Sequence, residues 1–331
     1  MQQHHPEDIR IDVFPRLHLT LIDLAANGYR RNGGVGFAID TLLATLIFRS
    51  SNTTRLLPLS EREYGISEIE SLTNRLETIR SQLHFKQGVA LVNVSPFRRH
   101  CGLGAGTAIT LACIEALFIA NNARVDPNEL QRISGRGGTS GIGVNTYFTG
   151  GLVFDLGREI DGSEFVPSES AIDSGYVPLM CNQIPMPAWP IGFFSPSRIQ
   201  SIDVEEEARF FRNTCPIPQS AVYETTYHVV FGILAAVLAN RFDSFCESVN
   251  ALQDCFWKSA EISIYGEEVS GLMAELRGLD CQAVGMSSLG PGLYFLAKDF
   301  DRVFTAVNKQ FPNENIVATL PRNMGRGGLL G

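Results

Sequence analysis

Lysine is scarce in this chain of 331 residues, and the scarcity limits what the protein can bind. Only four of its 27 lysines and arginines are lysines, namely Lys86, Lys258, Lys298 and Lys309. The formal net charge is −8, so the chain lacks the overall basic surface of a nucleic-acid-binding protein. We therefore predict no nucleic-acid partner and expect any anionic ligand to be held locally by forked arginine side chains.

Long apolar runs and paired cysteines are missing as well. No stretch of eighteen or more residues is wholly apolar, and the N-terminal MQQHHPEDIR lacks the apolar segment of a signal peptide. The seven cysteines form no CxxC pair and no zinc-ligand spacing, which is typical of reduced intracellular thiols. These absences predict a cytoplasmic protein without membrane association, in which Cys101 is a small packed residue.

The first strand that periodicity predicts carries a row of polar side chains. Residues 11–22 read IDVFPRLHLTLI, and aliphatic residues alternate there as on a half-buried strand. The other face aligns Arg16, His18 and Thr20 and ends near Asp23. A solvated strand face can carry such residues too, but this succession of cation, imidazole, hydroxyl and acid favours a functional face.

Strands and helices alternate along the rest of the chain. A helix is predicted from Ser67, where Glu70 completes a capping box. Strands are predicted in VGFAIDTLLATLIF, GVALVNVSP, GGLVFDLG, QAVGMSS and LYFLA, and further helices at about 108–120, from Pro127, at 202–211, 219–239, 243–258, 262–277 and 299–310.

This mixture in both halves predicts an α+β fold. A doubly wound sheet is disfavoured, because the first glycine-rich loop follows several strands and not the first one. The segment from about 160 to 200 is rich in Pro, Ser and Gly. It suggests a division into an N-terminal subdomain of residues 1–165, with the glycine-rich loops, and a C-terminal α+β subdomain of residues 166–331.

Residues 101–117 read CGLGAGTAITLACIEAL, a glycine-rich turn that leads into an apolar helix. Gly102, Gly104 and Gly106 leave backbone N–H groups unobstructed, and Thr107 is small enough for the same geometry. A helix N-terminus beside them would direct its positive dipole end at an anion. The alternative is a tight strand-to-helix turn without a ligand.

The loop matches neither of the two common nucleotide-binding patterns. It has no lysine and so is not a Walker A motif, and its glycine spacing differs from the dinucleotide fingerprint. Arg98, Arg99 and His100 lie at its mouth. Two further clusters, GRGGTSGIG at 135–143 and GMSSLGPG at 285–292, repeat the combination of glycine with hydroxyl side chains. Together the three loops predict a ligand with several phosphates, or with phosphates and sugar hydroxyls.

The motifs resemble those of a known superfamily. PFRRHCGLGAGTAITLACIEAL is similar to the glycine-rich loop and helix of GHMP kinases, and GMSSLGPGLYFL to their late glycine-rich motif. One branch is closer. RLHLTLIDL, NGGVGFAI, GLGAGTAI, GRGGTSGIGVNTYFTGG, GMSSLGPG and PRNMG resemble, in order from about residue 10 to 325, the β-ribofuranosylaminobenzene 5′-phosphate synthases and the related C-nucleoside synthases.

This resemblance implies a GHMP-kinase-like α+β fold with two subdomains around a central cleft, often dimeric. It implies that ribose C1 of phosphoribosyl pyrophosphate (PRPP) is joined to a ring carbon of an aromatic carboxylic acid, with release of CO2 and pyrophosphate. The acceptor would be a 4-amino- or 4-hydroxybenzoate or an aminopyrazole carboxylate, and the Arg-over-Lys bias together with Ala105 and Ala108 favours the second. A homodimer is expected.

The resemblance also implies roles for particular residues. Arg16 or His18 would hold the acceptor carboxylate, and Asp23, with Glu115 as a second candidate, would bind Mg²⁺ on the diphosphate. The alternative for Glu115 is a solvated helix residue. His228 is interpreted as a packed or capping histidine and Glu224 as an outside candidate for ribose or metal. The phosphate-binding residues would be Thr20, Gly102, Gly104, Gly106, Thr107, Arg136, Gly137, Gly138, Thr139, Ser140, Ser287 and Ser288.

Two other functions stay open at this point. In kinases of the superfamily an aspartate takes the hydroxyl proton, and its position corresponds here to Gly143, which argues against phosphoryl transfer. An ATP-dependent small-molecule kinase is nevertheless the alternative, and a non-catalytic sensor of a phosphorylated sugar is a third possibility.

Overall fold

Pro15 divides the N-terminal segment between two strands. The computed structural model of the chain describes residues 8–61, 64–97, 99–168 and 178–330. In it β1 spans Ile9–Val13 and β2 spans Arg16–Asp23, so the single strand predicted for residues 11–22 is wrong. Proline has no N–H for a strand ladder, and here the chain leaves one sheet and enters another.

Twelve strands and eleven helices form the described part of the chain, in a mixed order. The remaining strands are β3 (Asn32–Ala38), β4 (Ala44–Ser51), β5 (Gly88–Val94), β6 (Leu152–Asp155), β7 (Met180–Ile184), β8 (Ile191–Ser195), β9 (Ala283–Met286), β10 (Leu293–Leu296), β11 (Asn315–Thr319) and β12 (Gly327–Leu330). The helices are α1 (Ile66–Gln82), α2 (Ala105–Ala120), α3 (Pro127–Ser134), α4 (Ile142–Thr149), α5 (Val204–Thr214), α6 (Gln219–Tyr227), α7 (Ala235–Leu238), α8 (Phe242–Asp254), α9 (Phe256–Ser263), α10 (Gly266–Gly278) and α11 (Phe300–Gln310). A 3₁₀ turn covers Leu57–Glu61, and a π-helical segment, His228–Leu234, joins α6 to α7.

The strands form three antiparallel sheets of four strands each, in the orders β12-β1-β4-β5, β2-β3-β6-β7 and β11-β8-β10-β9. Two of these sheets combine both halves of the chain, because β12 pairs with β1 and β7 pairs with β6. Strand pairing therefore crosses residue 165 twice. The boundary at 165 stays a prediction, and residues 1–7 and 169–177 lie outside the described residues.

The apolar core holds α2 in place. This helix is apolar on nearly all sides and is buried in one cluster with β1, β4, β5 and α1, as expected for a helix without a hydrophilic face. Its buried position fixes the glycine-rich loop at its N-terminus. A second cluster joins β2, β3 and β6 to the helices between α5 and α9, and a third lies under β8–β10.

Several element boundaries differ from the sequence prediction. The segment VGFAIDTLLATLIF contains two strands, β3 and β4, separated at Asp40, whose carboxylate pairs with Arg322 at 2.6 Å. The first long helix begins one residue before Ser67, and its cap differs as well: Gly65 N–H donates to Glu68 Oε2 at 3.0 Å. Periodicity missed β7, β8, β11 and β12.

One helical segment of the described chain is both long and apolar. Gln219–Leu238, which comprises α6, the π-helical segment and α7, is long and apolar enough to cross a bilayer by length and composition alone. Val229, Ile233 and Val237 on it are buried in the protein core, and a core helix passes the same test. The absence of membrane association stays a prediction.

Candidate active site

The first and third glycine-rich loops interlock around β2. Ser287 Oγ donates to the Gly102 carbonyl at 2.6 Å and accepts from His18 N–H at 3.0 Å, while Ser288 N–H donates to the His18 carbonyl at 3.1 Å. Gly102 has φ +75°, and a Cβ there would overlap the Ser287 carbonyl oxygen. Because only glycine combines this φ with so close an approach, the contact fixes both loops together.

The N-terminus of α2 opens beside these loops without a cap. Gly104 precedes the helix with φ +75°, none of the described side chains caps it, and the first turn contains no acidic residue. The first N–H groups of a helix have no partner within the helix and carry its positive dipole end. The loop therefore presents donors suited to an anion.

A cavity of about 150 Å³ lies in front of this helix end. Its described lining is polar and includes three arginines. The lining residues are Arg16, Arg99, His100, Gly102, Leu103, Gly104, Ala105, Gly106, Thr107, Arg136, Ser168, Ser201, Ile202, Glu207, Ser288, Leu289 and Gly290.

Arg16 and Arg136 give this cavity its charge. Arg16 NH1 donates to the Gly102 carbonyl at 2.6 Å, but its buried Nε has no hydrogen-bond partner among the described residues. Burial, and next the positive charge of Arg136, lower the pKa of Arg16 to about 10, against a smaller opposite effect of Glu261. Arg136 itself donates to Thr107 Oγ1 at 3.2 and 3.0 Å. Two neighbouring cations at a cavity are stabilised when an anion lies between them.

A second cavity of about 290 Å³ adjoins the first, and Arg99, Gly106 and Arg136 line both. Arg99 forms a bidentate pair with Glu68 at 2.7 and 2.8 Å, and its guanidinium lies 3.8 Å from the Tyr64 ring centroid. Arg75 and Leu72 complete a wall that offers both a cation and apolar surface.

The second glycine-rich loop is held from behind by a buried carboxylate. Asp155 accepts from Gly141 N–H at 2.6 Å and from Gly157 N–H at 2.9 Å. Burial raises the pKa of Asp155 to about 6, although both hydrogen bonds act in the opposite direction. Within the second glycine-rich loop, Arg136 lines the first cavity. The other residues predicted there as phosphate ligands, Gly137, Gly138, Thr139 and Ser140, do not line it.

Three of those four residues form contacts with neighbouring segments. Gly138 accepts from Asn32 Nδ2 at 2.9 Å, and Thr139 Oγ1 donates to the Val166 carbonyl at 2.6 Å. Ser140 Oγ lies 3.0 Å from His18 Nε2. They stabilise the loop that carries Arg136.

His18 is buried behind the cavity. Its Nδ1 has no partner among the described residues, and burial, followed by the charges of Arg16 and Lys258, lowers its pKa well below 6.5. The imidazole is therefore neutral at pH 7, so it does not supply a positive charge for an acceptor carboxylate. Thr20, two residues on, is wholly buried and donates to the Leu21 carbonyl at 2.7 Å.

The two predicted metal ligands are not brought together. Asp23 lies at the far end of β2 from Arg16, roughly 23 Å along an eight-residue strand. Glu115 is wholly buried in α2, where it accepts from Tyr147 Oη at 2.6 Å and pairs with Arg326 at 2.5 Å. This donor set does not fit one Mg²⁺ ion at the cavity. Glu207 is the acidic residue that the described part of the chain contributes to the first cavity.

One important residue gave no sequence signal. Lys258 is wholly buried, and its Nζ donates to Glu261 Oε2 at 2.5 Å and to the Met286 carbonyl at 2.8 Å, with Ser288 O at 3.4 Å. It holds the third glycine-rich loop from beneath.

Asp155 could have been noticed as an acid inside the apolar strand GGLVFDLG. Arg98, predicted at the mouth of the loop, lies outside the described residues.

The chain is 31% identical over 289 residues to the β-ribofuranosylphenol 5′-phosphate synthase of Archaeoglobus fulgidus, covering 86% of this chain and 87% of the relative. It is 29% identical over 326 residues to the enzyme of that name from Methanothermobacter thermautotrophicus, covering 96% and 98%. No protein-family model matches the chain.

Solved structures show the fold. Homoserine kinase from Cytophaga hutchinsonii is similar with a TM-score of 0.67 at 17% identity, covering 99% of both chains. Mevalonate diphosphate decarboxylase from Staphylococcus aureus is similar with a TM-score of 0.65 at 13% identity, covering 97% of both. The predicted α+β fold of the GHMP kinase superfamily is confirmed.

Proposed function

Because this chain belongs to the β-ribofuranosylphenol 5′-phosphate synthase family, a branch of the GHMP kinase superfamily, we propose that it is a PRPP-dependent C-glycoside synthase. It joins C1 of ribose 5-phosphate to a ring carbon of an aromatic or heteroaromatic carboxylic acid. The names of the relatives support formation of a C-glycoside 5′-phosphate. PRPP as donor and an aminopyrazole carboxylate or 4-amino- or 4-hydroxybenzoate as acceptor belong to the proposal.

The observation that carries the proposal is the pair of neighbouring arginines at an uncapped helix end. Arg16 and Arg136 face one cavity with the N-terminus of α2, and the Nε of Arg16 finds no partner among the described residues. Backbone N–H groups and guanidinium groups are the donors that bind phosphate oxygens best. The diphosphate of PRPP supplies the negative charge that this arrangement favours.

The reaction balances without a general base. The C1–O bond to the diphosphate breaks and its electron pair leaves with pyrophosphate, while the ring carbon bearing the carboxylate gives two electrons to C1. The bond from that carbon to the carboxylate then breaks, CO2 leaves, and its electron pair restores the aromatic ring. The arginines and helix end stabilise the charge that grows on the leaving diphosphate.

The second cavity supports an acceptor site next to the donor. Tyr64 and Leu72 offer apolar surface to a ring, and Arg75 offers a guanidinium for the carboxylate. Arg136 and Gly106 line both cavities, so the two substrates would meet there. This assignment replaces His18 as the group for the acceptor carboxylate. We also propose that Mg²⁺ binds the diphosphate of PRPP, and that Asp23 and Glu115 are not its ligands.

Gly143 supports a synthase over a kinase. A Cβ at this position would lie 3.4 Å from Thr107 Cγ2, so the position that corresponds to the kinase aspartate faces the glycine-rich loop. Here it carries no acid, and phosphoryl transfer would lack its proton acceptor.

Product formation tests the proposal directly. The protein is incubated with PRPP, Mg²⁺ and each candidate acid in turn, and the riboside 5′-phosphate is detected by mass together with CO2 and pyrophosphate. One acid should give all three products in equal amounts. A parallel incubation replaces PRPP with ATP, and a phosphorylated product there would instead show a kinase. Tight PRPP binding without release of pyrophosphate, whichever acid is added, would favour the sensor.

Arg136→Ala tests the donor site. Losing a charge-assisted contact costs about 1.5–3 kcal/mol, so we expect kcat/KM for PRPP to fall roughly tenfold to a hundredfold. The matched control is Arg132→Ala, because Arg132 lies exposed on α3 four residues away. Equal kinetics of the two variants would show that Arg136 does not contact the donor.

A further inference from the structure

Three possible metal ligands meet away from both cavities. Among the described residues, Glu224, His228 and Cys255 place one ligand atom each within 4.8 Å of one another. None of them lines the first or second cavity. The cluster is therefore distinct from the proposed active site.

The helical geometry brings two of the three side chains to one face. Glu224 lies in α6 and His228 four residues later, the spacing that places side chains next to each other on a helix. His228 is also the first residue of the π-helical segment. Such segments are rare and are often found at functional sites.

Cys255 comes from a different part of the chain. It is the single residue between α8 and α9, ending one helix and preceding the other. Its side chain is buried, and its thiol donates a long hydrogen bond of 3.5 Å to the Ala251 carbonyl. The sulfur thus lies between two helix ends, and a metal bond would replace its hydrogen bonds with the Ala251 carbonyl and with Thr225.

We propose that Glu224, His228 and Cys255 form a binding site for a zinc-type divalent cation. A thiolate, an imidazole and a carboxylate together suit Zn²⁺, whereas Mg²⁺ prefers oxygen ligands alone. Three protein ligands leave a fourth tetrahedral position for water. The spacing rules for cysteine pairs could not reveal this site, because its cysteine is a single residue from a distant segment.

Binding needs only small movements. Ligand atoms of a tetrahedral zinc site are about 3.5 Å apart, given bonds of about 2.0–2.3 Å, so the three groups must approach by roughly 1 Å. Glu224 is exposed and long enough to move. When the metal–sulfur bond forms, the S–H bond breaks and its proton goes to solvent. No electron transfer takes place.

The position of the site gives it a structural consequence. Cys255 lies three residues before Lys258, whose Nζ holds the Met286 and Ser288 carbonyls of the third glycine-rich loop. A cation at Cys255 would tie the start of α9 to α6. It would therefore stabilise the helix that supports this loop.

Co²⁺ substitution tests the proposal without any measurement of activity. Metal-free full-length protein is titrated with Zn²⁺ against a chromophoric chelator, and with Co²⁺ while absorption is recorded. We expect one equivalent to bind, with tetrahedral d–d bands and a thiolate-to-cobalt charge-transfer band. Cys255→Ser should abolish the charge-transfer band and weaken binding about 100-fold or more, since even outer partners of a ligand contribute 10–100-fold.

Matched variants make the result specific. Cys246→Ser removes another buried cysteine, and His84→Ala removes an exposed histidine; both should bind like the unchanged protein. His228→Ala, at a half-buried position, provides a second test if Cys255→Ser does not fold. The proposal is overturned if the unchanged protein shows no charge-transfer band. It is also overturned if the band persists in folded Cys255→Ser, or if His228→Ala binds the metal with undiminished affinity.

Discussion

Arg16 and His18 are neighbours on one strand, yet burial gives them different charges at neutral pH. Both lose water on folding, and both pKa values fall because the charged form is disfavoured. An arginine whose pKa drops to about 10 keeps its proton at pH 7. A histidine whose pKa drops well below 6.5 does not. Of these two residues, Arg16 therefore adds its positive charge to that of Arg136 at the first cavity, while His18 contributes hydrogen bonds.

His18 should make stability depend on pH in a definite direction. Because its folded-state pKa lies below the unfolded value of 6.5, the unfolded chain binds the proton more readily. The contribution of neutral His18 is complete above pH 6.5 and is lost progressively as the pH falls below it. His18→Gln keeps a donor and acceptor near Ser140 without a titrating ring, so its free energy of unfolding should decrease less on acidification.

Urea unfolding between pH 8 and pH 5 measures this difference. His84→Gln is the control, because His84 is exposed and its replacement should leave the pH dependence unchanged. The free energy of unfolding is plotted against pH for both proteins. If the plots of His18→Gln and the unchanged protein ran parallel, His18 would not be a group that takes up a proton on unfolding.

At the residue scale, the sequence identified side chains better than their surroundings. Arg16, Gly102 and Arg136 were predicted to bind phosphates or the acceptor, and the structure brings them to one cavity. Glu115 looked like a metal ligand because it follows the loop, but the partners that neutralise it, Tyr147 and Arg326, come from distant segments. No local pattern encodes such a pairing.

Among the elements, α2 shows why the glycine-rich loop can be so open. The helix is apolar on almost every side and buried along most of its length, so the core holds it and its N-terminus needs no capping side chain. For the same reason its start was predicted from sequence to within three residues. The break between β1 and β2 was missed because alternation continues through Pro15, and only the missing N–H reveals that one strand has ended.

Gly102→Ala should damage the interlocked loops more than its size suggests. A non-glycine residue in the left-handed region costs about 1–2 kcal/mol, and the new Cβ would also overlap the Ser287 carbonyl oxygen. We expect a lower free energy of unfolding and a large loss of PRPP binding, because the loops must separate. Thermal unfolding and a PRPP-dependent shift of Tm measure the two effects.

Gly271→Ala is the matched control for this variant. Gly271 lies exposed in α10, and a Cβ there would meet no atom of the described residues within 4 Å. Alanine in a helix interior is about 0.5–1 kcal/mol more favourable than glycine, so this variant should be slightly more stable with unchanged PRPP binding. If Gly102→Ala behaved in the same way, the close approach of the two loops would not matter for function.

For the whole molecule, the fold and the reaction class were more accessible from sequence than the boundaries within it. Motifs spread in order from residue 10 to 325 indicated one GHMP-kinase-like α+β fold for the whole chain, and that fold is confirmed. The division at residue 165 remains a prediction, and β7 and β12 form strand pairs across it. Short edge strands such as these depend on distant partners and leave a weak periodic signal.

One apolar surface of the described part of the chain is left exposed by the residues around it. Tyr223, Tyr227, Phe231 and Leu238 lie on the outer side of the Gln219–Leu238 segment and are 62–70% exposed; we call them the aromatic strip. The rings of Tyr227 and Phe231 already pack on each other, with centroids 5.4 Å apart. At about 200 Å² per large side chain, the strip exposes roughly 500 Å², more than half of the 800 Å² that each partner buries in a standard interface.

We therefore predict that the strip contacts its counterpart in a second copy of the chain, forming the expected homodimer. Phe231→Arg should convert a dimer into a monomer without loss of folding, because Phe231 is exposed and a buried arginine pair across a twofold axis would repel. Sedimentation equilibrium gives the mass, and circular dichroism checks the fold. The control is Leu57→Arg, because Leu57 is an apolar residue outside the strip that is 69% exposed; this variant should leave the dimer intact. The assignment would be contradicted if the unchanged protein were a monomer, or if it bound lipid vesicles through the strip as a monomer. It would also be contradicted if the dimer dissociated equally in Phe231→Arg and Leu57→Arg.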